Sequence, residues 1–511
     1  MLQPSPLSPI PDDTARIARA AFPTGHPYLT LADELGTLFT DEQFAALFPT
    51  HGQPALAPWR LALVSILQFA EGLSDRQAAH AVRSRIDWKY VLRLDLADAG
   101  FDASVLSEFR TRLLAGGAEH LLFDTLLSWC RERQLLKAHG RQRTDSTHIL
   151  AAVRALNRIE VVAETMRHAL DSLAVAAPAW LQAQAPLAWA ERYARRAEEG
   201  RMPAGKEART ALAKTIGADG YALFAALDAP DAPAWLRELP ALETLRRVWL
   251  QNFYREGETL QWRTDALGLP PAVRFLSSPY DLDAHLGKKG TTCWVGYKVA
   301  LTETCAQDSP NLFTHVETTA APIADGEVTP KVHADLKRND LLPEKHLVDT
   351  GFLDAELMVA SKRDYGVDLV GPARPDVKWQ AKEGKGFDAQ HFVIDWEHQQ
   401  ATCPAGQTSV QWTPAIDNRA TNVIKIRFST KDCQACPSLR DCVKSKKKYP
   451  RRLITIRTQA QYEALQARRA REKTEEYVRE YAKRAGIEGS LSQGVRRCRL
   501  RRSRYIGLAR V

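Results

Sequence analysis

The chain has 511 residues, which is too long for one compact core and predicts two or more domains. Its hydrophobic fraction of 45% is ordinary for a globular protein, and no apolar run approaches the roughly 18 residues of a membrane span. The formal charge is +9, but residues 431–511 hold 23 Lys and Arg against 8 Asp and Glu, so the rest of the chain is net negative. This clustering favours a polyanion partner, most simply nucleic acid, over a merely solvated surface.

The expected compartment follows from the N-terminus and the cysteines. The first residues, MLQPSPLSPIPDDTAR, lack the basic and apolar segments of a secretory signal. Eight cysteines in a chain of this length are too sparse for a disulfide scaffold. We therefore expect a cytoplasmic protein with reduced cysteines and no membrane partner.

Residues 1–140 are predicted to form a helical N-terminal domain. Pro58 begins an apolar run that ends near Gly72, and Ser74 and Ser104 are predicted to cap the next two helices. The two helices across the Gly-Leu-Ser turn have the sequence shape of a DNA-binding helix-turn-helix. Plain packing is the alternative, because any helical bundle contains such pairs.

The following segments predict a mixed α/β sheet flanked by helices. RTDSTHI, which starts at Arg143, is the first predicted strand, and residues 151–270 have the composition and period of a helical insertion. Residues 271–375 then read as two strands, a helix, a short strand, a helix and a last strand. Strands that alternate with helices after two antiparallel strands indicate a mixed α/β layer.

Two aspartates are predicted to meet at one end of this sheet. Asp145 lies in the first strand, and Asp349 follows a later strand just before Gly351. Taken alone, Asp145 is explained equally well as a loop or cap residue, and Asp349 as a turn residue. Ligands of open α/β sheets collect at the carboxyl ends of strands, and two acids brought together there require a cation. The pair therefore predicts a hard divalent metal bound by carboxylates.

A third acid is expected to complete this site. Glu488 shares one helical face with Tyr481 and Arg484, provided that the helix continues through Gly486. A glutamate beside a run of arginines is an unusual surface residue. Its position fits a metal ligand close to bound phosphates.

The quoted segments resemble bacterial insertion-sequence transposases of the DDE class, which have a ribonuclease-H-like catalytic core. The resemblance covers nearly the whole chain and rests on TDSTHI, GKKGTTCWVGYKVALTETC, HVETTAA, HLVDTGFLDAELMVASKRDYGVDLVGPARPD, CPAGQ and YAKRAGIEGSLSQGVRRCRLRRSRYIGLA. It implies that Asp145, Asp349 and Glu488 are catalytic and bind Mg²⁺ or Mn²⁺. It also implies a ribonuclease-H-like catalytic domain over residues 141–511, interrupted by the helical insertion.

Near the C-terminus, the chain agrees with the family pattern at two positions and departs from it in two respects. Tyr481 and Arg484 match a tyrosine and an arginine that precede the glutamate in related transposases. Part of the superfamily has a basic residue seven positions after the glutamate, where this chain has Val495 followed by Arg496. Relatives usually continue beyond RSRYIGLA into another apolar helix, whereas this sequence ends at Val511, so a truncated chain is one expectation.

Four cysteines predict a second metal site in a cysteine-rich insertion over residues 376–455. Their spacing, C-x29-C-x2-C-x5-C, fits four thiolates around a structural Zn²⁺. The last gap is wider than that of a usual CxxC pair, so unmetallated thiols are the alternative. The predicted ligands are Cys403, Cys433, Cys436 and Cys442.

These expectations combine into a DNA transposase that cleaves and joins the strands of an insertion sequence. We expect a homodimer on double-stranded DNA, in the cytoplasm and associated with the nucleoid. The alternatives are a nuclease without strand transfer and an inactive relic that only binds DNA. Predicted DNA contacts come from basic residues and from two residues next to the glutamate: Lys288, Lys289, Tyr481, Arg484, Arg496, Arg497, Arg499, Arg501, Arg502 and Arg504.

Overall fold

The computed structural model describes residues 1–36, 38–137, 139–200, 202–445 and 448–511. Lys446 and Lys447, which belong to the basic run KSKKK, lie outside the described residues. No helix in these ranges is both long and apolar enough to cross a membrane.

The chain begins with helices that pack around a core of large apolar side chains, among them Phe44, Trp59, Trp88 and Phe109. These helices are α1 (Asp12–Ala21), α2 (Pro27–Leu35), α3 (Pro58–Glu71), α4 (Asp75–Ser84), α5 (Ile86–Val91), α6 (Ser104–Ala115) and α7 (Leu121–Glu132).

Local signals set the helix ends in this region. Ser74 caps α4 as predicted, because its side chain accepts a hydrogen bond from the Gln77 N–H at 3.3 Å. The predicted cap at Ser104 is wrong. Ser104 is already the first residue of α6, and the Asp102 carboxylate two residues earlier accepts its N–H at 2.9 Å.

The first strand, β1 (Arg141–Leu150), is followed by a segment with its own apolar core. A helix contact in this core depends on Gly220, where an added Cβ would lie 2.2 Å from the Trp249 ring. The elements of the segment are α8 (Arg158–Ala176), α9 (Pro178–Gln184), α10 (Leu187–Tyr193), α11 (Lys206–Leu227), α12 (Pro240–Asn252), β2 (Phe253–Glu256) and β3 (Thr259–Trp262).

The prediction of helices throughout residues 151–270 is wrong at one place. Strands β2 and β3 pair as an antiparallel hairpin, with Phe253 opposite Trp262. The turn contains Gly257 at a φ of 60°, a conformation that favours glycine. The hairpin closes the core of this segment, since Phe253 packs on Trp249 at 5.4 Å between ring centroids.

The central sheet is mixed, as predicted, and is compatible with a ribonuclease-H-like core. Its strand order is β6-β5-β1-β7-β8, with β4 also paired to β5. Strand β5 is antiparallel to β1, β4 and β6, whereas β1, β7 and β8 run parallel to their neighbours in that half. The elements are β4 (His285–Lys289), β5 (Thr292–Thr304), β6 (Phe313–Ala320), α13 (Asp325–Arg338), β7 (Lys345–Leu347), α14 (Ala355–Tyr365) and β8 (Asp368–Val370).

A buried polar chain connects β1 through β7 to α13. The Thr144 hydroxyl lies 2.6 Å from His346 Nε2, and His346 Nδ1 lies 2.9 Å from His333 Nε2. Burial lowers the pKa of His333 to about 4 and lowers that of His346 well below its usual value. Both rings are therefore neutral at physiological pH, and they satisfy polar groups inside the sheet.

The remaining elements follow the sheet in the chain. They are α15 (Trp379–Glu383), β9 (Val393–Asp395), β10 (Gln400–Thr402), β11 (Ser409–Ile416), β12 (Asn422–Phe428), α16 (Thr430–Ala435), α17 (Leu439–Cys442), β13 (Leu453–Arg457), α18 (Gln459–Arg471), α19 (Glu475–Tyr481) and α20 (Gly486–Cys498). Strands β11, β12 and β13 form a separate small sheet over a core that includes Ile426, Phe428 and Ile454.

The last residues return to the central sheet. The Leu150 N–H donates to the carbonyl of Arg501, and the Ser503 N–H donates to the carbonyl of Leu150, each at 2.9 Å. These bonds extend the end of β1 with one parallel bridge between Leu150 and Arg502. The C-terminal segment therefore adds to the sheet at the strand that carries Asp145.

Candidate active site

Strand β1 fixes Asp145 in the middle of the sheet. The residue is opposite Leu301 of β5, and β7 pairs with the other side of β1. Asp145 is only 8% exposed, and its Oδ1 accepts the Ser146 N–H at 2.8 Å. One carboxylate oxygen is thus held by the backbone, which leaves Oδ2 for a charged partner.

Asp349 lies beside Asp145 at the end of the neighbouring strand. Strands β1 and β7 are parallel with Arg143 opposite Leu347, so two further residues bring Asp349 level with Asp145. The Gly351 N–H donates to Asp349 Oδ1 at 2.6 Å. A Cβ at Gly351 would lie 2.9 Å from the same oxygen, so the tight turn that orients Asp349 requires a glycine.

Glu488 is in the first turn of α20, at the surface. The sequence suggested one helix through Gly486; the chain instead passes from α19 through a 3₁₀ turn, Ala482–Ala485, into α20. All of these turns are helical, so Arg484 and Glu488 still share a face. Arg484 Nη1 donates to Glu488 Oε1 at 3.3 Å.

A single guanidinium contacts all three acids. Arg484 Nη2 lies 2.9 Å from Asp145 Oδ2 and 4.0 Å from Asp349 Oδ2, while Nη1 contacts Glu488. Sequence reasoning identified Arg484 only as a DNA contact. The four-residue spacing to Glu488 was the available signal, since opposite charges at that spacing are neighbours on a helix.

The charge balance around Asp145 shows why a cation is needed. Burial raises the pKa of the Asp145 carboxyl, and the Asp349 charge raises it further. Arg484, the Ser146 N–H and Lys289 lower this pKa, but together they do not cancel the effect of burial. The ionised form of Asp145 therefore depends on positive charge placed close to it.

The donor set suits a hard divalent ion. Carboxylate oxygens are the ligands that Mg²⁺ and Mn²⁺ prefer, and oxygens of all three acids already surround one cationic group. Among the described residues, no set of three that includes them has its ligand atoms within 4.8 Å of one another. Two of the acids are held by backbone N–H groups, and the third is on a helix that begins at Gly486.

Another acidic group does not qualify as a metal site. Among the described residues, the ligand atoms of His315, Glu317 and Asp335 do lie within 4.8 Å of one another. Lys331 contacts Glu317 at 2.9 Å, and Arg338 contacts Asp335 at 2.8 Å. The two acids are neutralised by these side chains, so the group is an ion-pair network.

Tyr481 and Lys289 are close to the triad. Tyr481 stacks on Tyr477 with the ring centroids 5.7 Å apart and the planes 6° from parallel. Burial raises the pKa of the Tyr481 phenol, and the charges of Arg484 and Asp349 also act on it. Lys288 and Lys289 are both exposed at the end of β4.

The predicted DNA-binding arginines divide into two groups. Arg501 is exposed, and its Nε donates to the Thr147 hydroxyl at 2.9 Å, on the same face of β1 as Asp145. Arg504 instead donates to the Leu73 carbonyl at 3.0 Å and stacks over Phe69 at 4.8 Å. Its position fits packing against α3 better than contact with phosphate. The other predicted arginines of this segment are exposed: Arg496, Arg497, Arg499 and Arg502.

The four predicted zinc ligands line one small cavity. Cys403 Sγ accepts the Gln407 N–H at 3.3 Å, and Cys433 Sγ accepts the Arg452 N–H at 3.4 Å. Burial, helped by the other three thiols and opposed by the charge of Arg452, raises the pKa of Cys442 to about 11. The shared cavity and the N–H···S bonds fit thiolates around Zn²⁺. However, no described set of three sulfurs lies within 4.8 Å of one another.

Comparison with known families gives two matches. Residues 16–112 match a family described as Transposase domain (DUF772), and residues 402–511 match one described as Transposase DDE domain. Asp145 and Asp349 lie between the two matched ranges. No curated protein and no solved structure matches the chain. The two domain matches confirm the resemblance to insertion-sequence transposases of the DDE class that was drawn from the sequence motifs.

Proposed function

We propose that this transposase cleaves and joins DNA strands at a divalent-metal site formed by Asp145, Asp349 and Glu488. The observation that carries the proposal is the contact of one guanidinium, that of Arg484, with all three carboxylates. Acids from β1, from the end of β7 and from α20 surround a common cation-binding position.

The three acids have different roles in this proposal. Asp145 and Asp349 would hold metal on the rigid sheet, because backbone N–H groups orient both. Glu488 would complete the site from α20, where its side chain is 65% exposed. Bound Mg²⁺ or Mn²⁺ would supply activation of a water or a DNA 3′-hydroxyl and stabilisation of the charge on the leaving oxygen. Arg484 would release the acids as metal binds.

DNA is expected to approach along the face of β1 that carries Asp145. Lys289 acts electrostatically on Asp145, and Arg501 is fixed on Thr147 two residues further along the strand. These two cations flank the triad and suit phosphates on either side of the cleaved bond. Because an element has two ends and each chain has one triad, a homodimer on DNA is the simplest assembly.

The cysteine-rich segment is proposed to bind one structural Zn²⁺. Four thiols from two turns and two short helices line its cavity, and two of the sulfurs already accept backbone N–H groups. Zn²⁺ would favour the thiolate form and hold together a segment whose own apolar core is small.

We expect Asp145→Asn and Glu488→Gln to abolish cleavage of supercoiled DNA carrying the element ends in Mg²⁺. The loss should reach at least about 100-fold, above the 10-to-100-fold typical of residues that only support a metal ligand. Glu488→Gln should bind DNA as well as the parent, because it removes a negative charge. Glu476→Gln, an exposed glutamate of α19, is the matched control and should cleave normally. Parental cleavage by Glu488→Gln would exclude the triad.

Arg484→Gln should tighten Mn²⁺ binding in the absence of DNA. The arginine and the metal compete for the same oxygens, so removing one charge should improve the affinity on the order of tenfold, about 1.4 kcal/mol. Electron paramagnetic resonance titration measures free Mn²⁺ directly. Arg484→Lys keeps the charge and should stay closer to the parent. Weaker Mn²⁺ binding by Arg484→Gln would show that Arg484 supports metal binding and does not compete with it.

Purified protein should contain one Zn²⁺ per chain by elemental mass spectrometry. Cys436→Ser should lose the metal and lower the melting temperature, because the segment loses a link between its turns. Cys293→Ser, an exposed cysteine outside the segment, should keep both the metal and the stability. A parent protein with well under one Zn²⁺ per chain would mean that the four thiols are unmetallated.

Replacing Arg499, Arg501 and Arg502 together with alanine should weaken binding to all DNA sequences alike. Each lost phosphate contact should flatten the slope of log affinity against log salt by up to about one unit. Arg504→Ala should instead lower the melting temperature and leave the salt slope unchanged, because its donors contact Leu73 and its plane covers Phe69. A triple variant that binds like the parent at every salt concentration would remove this segment from the DNA interface.

A further inference from the structure

We propose that Arg143 is a positioning residue of the transposase, which sets the distance between the strand carrying Asp145 and the helix carrying Glu488. The inference rests on the proposed metal site of these acids. It concerns side chains that contact neither metal nor DNA in that proposal, and it follows from a buried ion pair and one close backbone approach.

The ion pair joins the two central strands. Arg143 of β1 is directly opposite Glu303 of β5, with Nε 2.7 Å and Nη2 2.6 Å from Glu303 Oε1. The two side chains are 7% and 2% exposed. A buried ion pair contributes little net stability compared with apolar residues of the same volume, because both charges lose their hydration. Its presence at this place therefore calls for a geometric role.

The third nitrogen of the Arg143 guanidinium bonds to a group outside the sheet. Arg143 Nη1 donates to the backbone carbonyl of Lys483, which is in the 3₁₀ turn between α19 and α20. Glu303 thus fixes the plane of the guanidinium, and the guanidinium fixes the backbone just before α20. An apolar pair could fill the same volume but could not hold this carbonyl.

Gly486 shows how closely α20 approaches this plane. A Cβ at Gly486 would lie 2.1 Å from Arg143 Nη1 and 2.5 Å from its Cζ. The φ of Gly486 is −62°, an ordinary helical value, so backbone conformation does not require a glycine here. The requirement is space: the first residue of α20 rests directly on the guanidinium.

The two contacts connect the catalytic acids. Arg143 is two residues before Asp145, so both side chains are on the same face of β1. Gly486 is two residues before Glu488, in the same helical turn. The position of Glu488 relative to Asp145 is therefore set by one rigid group pressed between strand and helix, and a shift of about 1 Å at such a site is enough to cost activity.

The test combines two ways of disturbing this spacing. Gly486→Ala keeps every charge and forces either α20 or the Arg143 guanidinium to move, which breaks the spacing between them. The double variant Arg143→Met/Glu303→Leu replaces the buried pair with apolar side chains, which avoids leaving one charge unpaired. The matched control is Gly489→Ala, in the same helix, where an added Cβ meets no atom within 4 Å.

We expect both test variants to bind Mn²⁺ roughly 10 to 100 times more weakly than the parent, as residues that orient metal ligands do. With DNA, kcat should fall by a similar factor while the KM for DNA stays near the parental value. Gly489→Ala should match the parent in all three measurements. A merely structural role would lower the melting temperature without changing Mn²⁺ affinity in the folded protein.

The outcomes separate this inference from the proposed function. If Gly486→Ala is folded and has the Mn²⁺ affinity and kcat of the parent, the inference is wrong even though the triad stands. If the double variant does not fold, Gly486→Ala alone decides. A parent protein without metal-dependent cleavage would overturn the proposed function and this inference together.

Discussion

The burial of Asp145 is the constraint on which the arrangement around the central sheet depends. A carboxylate that is 8% exposed in a doubly paired strand is costly unless a positive charge reaches it. Arg484 supplies this charge from the C-terminal part of the chain at 2.9 Å. The approach of Arg484 in turn requires that the turn before α20 rests on the sheet, which the contact of Arg143 with Lys483 and the small Gly486 permit. The site thus joins strand β1 to the turn before α20, more than 300 residues later in the chain.

The two faces of β1 solve the problem of buried polar groups in different ways. On one face, Thr144 joins a chain of neutral hydrogen-bonding groups through His346, whose pKa burial lowers well below its usual value. On the other face, Arg143 and Asp145 are charged and are matched by Glu303 and Arg484. His346 continues the neutral chain to His333 of α13. On the charged face, Arg484 occupies the position that metal would take in the proposed site.

Local patterns in the sequence predicted what local physics determines. The strand that carries Asp145, the strand that ends just before Asp349, the mixed sheet and the cap at Ser74 follow from short-range periodicity and turn chemistry. The hairpin of β2 and β3 was missed because a helical composition surrounds it, although Gly257 marks its turn. Contacts between distant segments left no local signal. Nothing near Arg143 in the sequence indicates a contact with Gly486. The φ of Gly486 is ordinary, and the lack of space for a side chain there arises only in the folded chain.

The excess of arginine near the C-terminus has more than one cause. Net charge alone suggested a single DNA-binding surface. In the structure, one arginine of this region neutralises an acid, another packs against α3, and others are exposed. Arg484 balances the buried Asp145, and Arg504 covers Phe69 and binds the Leu73 carbonyl, so neither is counted as free charge. Arg501 and its exposed neighbours remain beside the site, where the tail adds to the end of β1. The same backbone bonds that bring this tail to the sheet therefore bring its exposed arginines to the strand that carries Asp145, as the proposed path of DNA requires.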